Sequence, residues 1–133
     1  VRALHPHCFT CRSQEHKEHA GHPLYSPALD RFFSGLVSST KQGAKARGIL
    51  FAISKDNLLG MYLEQGGMCA MSGLPMDWET RGQRGPGSKN YKRPSIDRIN
   101  NSGNYVIGNV QIVMAIVNIM KQDLPADMFI ALC

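Results

Sequence analysis

The sequence predicts a small single domain of the α+β class, with helices leading and a β-β-α unit following. Three observations carry that expectation. A chain of 133 residues fits one hydrophobic core and little more. Apolar residues recur at helical spacing early on, at Leu29, Phe32, Phe33, Leu36 and Val37. Later, two short apolar stretches around 95–99 and 110–113 flank a turn and run into another helical stretch.

The elements follow in order. All five histidines, His5, His7, His16, His19 and His22, fall in the first 22 residues with Cys8 and Cys11, so residues 1–25 read as an arm distinct from a domain over 26–133. Because the chain opens on Val1, upstream sequence is expected to be missing. Ser26 can cap a helix whose first position suits Pro27, and Lys41, Lys45 and Arg47 give it a basic end before Gly48. Ile49, Phe51 and Ile53 alternate as a short strand or extended segment. Ser54 can cap a second helix to about Gln65, ended by Gly66 and Gly67. "MCAMSGLP" reads as a strand entering a turn at Ser72 and Gly73. Residues 77–93 read as a mobile polar loop in which Arg81, Arg84, Lys89, Lys92 and Arg93 either contact phosphate or are simply solvated. The turn "NNSGN" joins the two strands, the helix runs through Lys121, and Leu124-Pro125 restarts a short helix whose Met128, Phe129 and Leu132 can cover the core.

A net charge of +5 favours an anionic partner, nucleic acid being the simplest, although charge alone fits a merely basic domain as well. No apolar run approaches the roughly 20 residues that span a bilayer, and "VRALHPHCFTCR" lacks the apolar region of a secretory signal, so no membrane role and an intracellular location are expected. Of four cysteines only Cys8 and Cys11 are close, which argues against a disulfide framework.

Chemistry concentrates in the β-β-α unit. Asp97 lies on the first strand, Asn109 just before the second, and Asn118 on the helix nine residues further on. The pattern "SIDRI", "GNVQIV", "VNIMK" resembles that of the HNH endonucleases. The blocks "ARGILFAISKDNLLGMYLEQGGMCAMSG" and "DMFIALC" are similar to those flanking the motif in phage-type members, so the likeness runs from about Ala44 to Cys133. The resemblance implies a ββα-metal fold and a metal-dependent endonuclease hydrolysing phosphodiester bonds in DNA. It further implies Asp97 as anionic ligand and Asn118 as neutral oxygen ligand for Mg²⁺ or Mn²⁺, with Asn109 holding the loop and orienting the catalytic group. Arg81, Arg84, Lys89, Lys92, Arg93 and Lys121 would contact DNA. The plainer alternative is that Asp97 caps a turn or pairs with Arg98, Arg93 or Lys121, while the asparagines satisfy local backbone groups.

Arg98 departs from the pattern, in which a histidine after the aspartate serves as general base. A guanidinium cannot accept a proton, so Arg98 is expected to clamp a phosphate if it acts at all, and the base is left unidentified among Tyr91, Tyr105, an arm histidine and metal-bound water. Many family members carry two Cys-x-x-Cys pairs as a zinc staple. Here "CAMS" keeps only Cys69 and "VMAIVN" has none. Cys8, Cys11, His16 and His19 could instead hold a structural Zn²⁺ in the arm, against the alternative of a flexible His-rich segment. A non-catalytic nucleic-acid-binding module that retains the HNH fold is the competing function, followed by a domain with a protein partner.

Overall fold

A computed structural model describes residues 19–80 and 89–133. Among these, helix α1 spans Pro27–Ala46, opened by the Ser26 hydroxyl accepting the Leu29 N–H at 3.1 Å. At its far end the Arg47 side chain donates to the Gly43 carbonyl at 3.1 Å. Helix α2 spans Lys55–Glu64, with Ser54 accepting the Asn57 N–H at 3.1 Å. Both caps satisfy backbone donors that helices leave open at their start. The chain leaves α2 through Gly66 and Gly67, at φ of 64° and 74°, a region costly for residues with a Cβ.

The faces of α1 and α2 meet through Leu29, Phe33, Leu58, Leu59, Tyr62 and Leu63, all buried, with the Phe33 and Tyr62 rings 5.3 Å apart. Of the short strand and the extended segment that the alternation after α1 allowed, the structure forms no strand and keeps one bridge. Phe51 bridges Tyr105 alone, because the segment around Tyr105 turns after one residue and offers no further backbone to pair. "MCAMSGLP" is likewise a tight turn held by a single Met68–Pro75 bridge.

Strands β1 (Pro94–Arg98) and β2 (Val110–Met114) pair antiparallel, with Ile96 opposite Ile112 and Asp97 opposite Gln111. Side chains alternate across a strand, so the register divides the sheet. Ile96 and Ile112 join the apolar core, whereas Ser95 and Asp97 lie on the other face. Helix α3 (Ala115–Lys121) follows β2 without a loop and packs on both strands. Helix α4 (Ala126–Leu132) contributes no buried residue. Met128 and Leu132 are exposed, so the expectation that this segment covers the core is not met: among the described residues, the core already closes over α1, α2 and the sheet. The architecture is thus a small α+β arrangement of four helices and a two-stranded antiparallel sheet among the described residues. None of these helices is long and apolar enough to cross a membrane.

Candidate functional site

The register that sets Gln111 opposite Asp97 also sets the hydrogen bonding of the carboxylate. Gln111 Nε2 donates to Asp97 Oδ2 at 2.9 Å, a direct cross-strand pair. The last turn of α3 brings Lys121 over the same residue, and its ammonium lies 3.1 Å from Asp97 Oδ1 and donates to the Arg98 carbonyl at 2.8 Å. Both charges are sealed from solvent, at 2% side-chain exposure for Asp97 and 0% for Lys121. One turn back along α3, Asn118 Nδ2 donates to Ser95 Oγ at 2.9 Å and to the Ile96 carbonyl at 3.3 Å. Helix and strand are therefore stitched together twice, once by charge and once by an amide.

Asn109 bonds the backbone of the connector between the strands. Its Oδ1 accepts the Asn100 N–H at 3.0 Å, and its Nδ2 donates to the carbonyls of Asn100 and Asn104 at 3.1 and 2.9 Å. A Cβ at Gly103 would come 2.6 Å from that Nδ2, so glycine is needed where the connector crosses the amide. Arg98 is occupied on the same connector. Its guanidinium donates to the carbonyls of Asn101 and Gly103 at 2.8 and 2.9 Å and lies 5.3 Å from the Tyr105 ring centre. The buried Tyr105 hydroxyl in turn accepts from Arg47 at 3.0 Å.

The residues expected at the site therefore separate into three groups. Asp97, Asn118 and Lys121 converge between β1 and α3, while Arg98 and Asn109 hold the connector. Lys89, Lys92 and Arg93 are exposed on the segment entering β1. Lys121, expected to contact DNA, is instead fully buried: among the described residues, its ammonium meets the carboxylate of Asp97 and the carbonyl of Arg98 beneath the helix. Arg81 and Arg84 lie outside the described residues, as do Cys8, Cys11 and His16, so the arm zinc site is represented by His19 alone, which stacks near Tyr25. Tyr91 is exposed, with its carbonyl bonded to the Ile116 N–H at 3.0 Å.

Gln111 was missed by the sequence reading. The signal for it is the hairpin register, which follows once Asp97 and Asn109 are placed at the two ends of the connector. The spacing of three between Asn118 and Lys121 puts both on one helical face, which is compatible with the Lys121 partnership.

A divalent cation does not fit the Asp97–Asn118 pair in this arrangement. Mg²⁺ and Mn²⁺ take hard oxygen ligands, but one Asp97 oxygen already faces an ammonium and the other an amide N–H. A second cation next to Lys121 would meet like charge in a buried setting, where repulsion is poorly screened. Asn118 turns its Nδ2 toward β1, and the Ile96 carbonyl, which can only accept, fixes that orientation. Among the described residues no three His, Cys, Asp or Glu side chains gather where they could hold a metal.

The two segments that the zinc staple would join do lie together. Cys69, at 2% exposure, has its sulfur accepting N–H groups from Met114 at 3.3 Å and Ser72 at 3.5 Å. Burial pushes this thiol up, but the hydrogen bonds donated by Ser72, Met114 and Met71 outweigh it and bring the group below its ordinary value. The chain matches no family model, no curated protein and no solved structure.

Proposed function

We propose that the chain is a DNA-binding module built on the hairpin–helix unit of the HNH endonucleases, one that holds DNA without cutting it. The Asp97–Lys121 pair carries this reading. Hydrolysis in that family draws on a strand aspartate open to a cation, and here the aspartate is closed by the chain's own lysine. The exposed cations Lys89, Lys92 and Arg93, together with Arg81 and Arg84 beside them in sequence, supply a phosphate-contacting surface.

A second reading, a metal-dependent HNH-type endonuclease using Mg²⁺ or Mn²⁺, is favoured by the placement of Asp97, Asn109 and Asn118 at mid-strand, connector and helix face. It requires Lys121 to leave Asp97. One experiment separates the two. The purified chain is incubated with supercoiled plasmid and Mg²⁺, Mn²⁺ or EDTA, and its affinity for duplex DNA is measured over a range of salt. The module predicts salt-dependent binding with no nicking in any buffer, and replacement of Arg81, Arg84 and Lys89 by alanine lowers the salt slope by about 1 per lost phosphate contact. Nicking in Mg²⁺ or Mn²⁺ that EDTA abolishes would overturn it in favour of the endonuclease. Absence of salt-dependent affinity would refute both and leave a protein partner.

A further inference from the structure

Of the groups that oppose a divalent cation at Asp97, Lys121 is the one that carries charge. The Lys121 ammonium sits between a carboxylate oxygen and a backbone carbonyl oxygen, at 3.1 and 2.8 Å. Two hard oxygens converging on one buried point, one of them anionic, are the donor type that Mg²⁺, Mn²⁺ and Ca²⁺ take at roughly 2.0–2.6 Å. Lys121 Nζ has no exposure, and among the described residues no other cation pairs with Asp97: the Arg98 guanidinium is turned away to the connector. The remaining Asp97 oxygen is held by Gln111, and Asn118 fixes α3 to β1 beside it, so the carboxylate stays in place whatever neutralises it.

We infer that Lys121 is the resident cation of this site: its ammonium occupies the position of a metal ion, the wild-type chain binds no divalent cation at Asp97, and removing the lysine creates a divalent-cation site. The inference rests on reading the hairpin–helix as a metal-type scaffold and does not depend on DNA binding. Truncation to alanine removes both the charge and the stem, leaving an unpaired buried carboxylate beside the Arg98 carbonyl and room for an ion with its waters. A metal ion that binds the folded form alone then raises its stability in proportion to the logarithm of its concentration.

The test uses Mn²⁺ as the probe, with no DNA, on the full chain in four versions: wild type, Lys121→Ala, Lys121→Gln, and Asp97→Asn with Lys121→Ala. Free Mn²⁺ is followed by its paramagnetic resonance signal, and Tm is measured across a Mn²⁺ titration. Lys121→Ala is expected to take up one Mn²⁺ per chain and to gain Tm on titration. Wild type and the double variant take up none at Asp97 and show no shift. Lys121→Gln removes the charge but keeps part of the stem and a neutral amide, with uptake expected to fall between the two. Equal Mn²⁺ uptake by wild type and Lys121→Ala would overturn the inference, as would a folded Lys121→Ala that takes up none. If Lys121→Ala is unfolded without metal, folding on addition of Mn²⁺ supports the inference. Failure to fold with or without Mn²⁺ overturns it, since the ion then does not replace the ammonium. A wild-type chain that fails to bind DNA bears on the proposed function and leaves this result untouched.

Discussion

Two lysine–aspartate pairs serve the two halves of the molecule under different conditions. Lys55 and Asp30 join α2 to α1 at 2.7 Å, with side-chain exposures of 24% and 11%, whereas Lys121 and Asp97 join α3 to β1 at 3.1 Å with almost none. The shorter pair is the weaker structural commitment. Water reaches Lys55, so the ammonium can be hydrated if its partner is lost, and the helices beneath are already held by Leu29, Phe33, Leu58 and Leu59. Lys121 has no such recourse. Contact distance ranks these pairs in the wrong order, because a buried charge is set by what remains when its partner goes.

That contrast gives the largest expected effect. Lys121→Ala or Asp97→Ala should cost about 3–5 kcal/mol, because each leaves an uncompensated buried charge, while Asp30→Ala, which leaves the ammonium of Lys55 that water reaches, should cost about 1 kcal/mol. Asp97→Leu combined with Lys121→Met should cost less than either alanine variant, since the two charges leave together and the volume is largely kept. Urea denaturation of the purified variants measures all four. Equal losses at Asp30 and Asp97, which leave Lys55 and Lys121 respectively, would break the comparison. The same numbers bear on activity tests: a loss of DNA-directed activity in Asp97→Ala carries no catalytic meaning unless the variant is shown to be folded.

The connector between the strands gives a smaller effect and decides between two roles for Arg98. Both carbonyls are reached from one guanidinium nitrogen, Nη1, while the plane of the group covers Tyr105, so a side chain with shorter reach or no planar cationic face keeps only part of the contact. Arg98→His and Arg98→Lys should each lose about 1–2 kcal/mol of stability, consistent with charge-assisted bonds to a partly solvated connector. DNA affinity at a temperature where both are folded should be unchanged. A fall in affinity without a fall in stability would instead make Arg98 the phosphate clamp expected from the sequence.

Both helix caps, the apolar faces of α1 and α2, and the hairpin followed by a helix were legible in the sequence, because caps and periodicity are local. Ser26, Ser54 and the Leu29–Phe33 spacing needed no tertiary information. Around Phe51 the alternation left a strand and an extended segment open, since it shows that a strand is possible and cannot show that a partner continues beside it. At the site, the sequence placed Asp97, Asn109 and Asn118 near one another but left open which groups they bond. Lys121 was among the possible partners of Asp97 and was also read as a surface cation. Spacing alone cannot separate those readings, because a lysine in the last turn of a short helix faces solvent or core according to how α3 rolls on the sheet. That roll is fixed by Asn118 reaching Ser95 and Ile96, a contact between elements more than twenty residues apart.

A third carboxylate, Asp77, sharpens the comparison from the solvent side, and its effect should be the smallest. It has hydrogen bonds rather than a buried ammonium as its main stabilisers. The Thr80 hydroxyl and N–H and the Glu79 N–H, with the charge of Lys92, hold its carboxyl below the usual aspartate value despite a small opposing effect of burial. The same residue ties together the two ends of the basic segment: its N–H donates to the Lys92 carbonyl at 3.0 Å, and its carbonyl accepts from Asn90 at 2.7 Å. A carboxylate whose pKa is lower folded than unfolded contributes stability that is fully present above the unfolded value of about 3.9 and is lost as pH falls through the folded value. Asp77→Asn keeps an acceptor oxygen for the two N–H groups and removes the titration. The variant should therefore lose part of the acid-dependent fall in stability below about pH 4 while matching the wild-type slope near neutrality. Urea midpoints of wild type and variant taken from neutral pH into the acid range check this. Parallel curves for wild type and variant through the acid range would show that the turn is held by its backbone and that the charge on Asp77 contributes nothing.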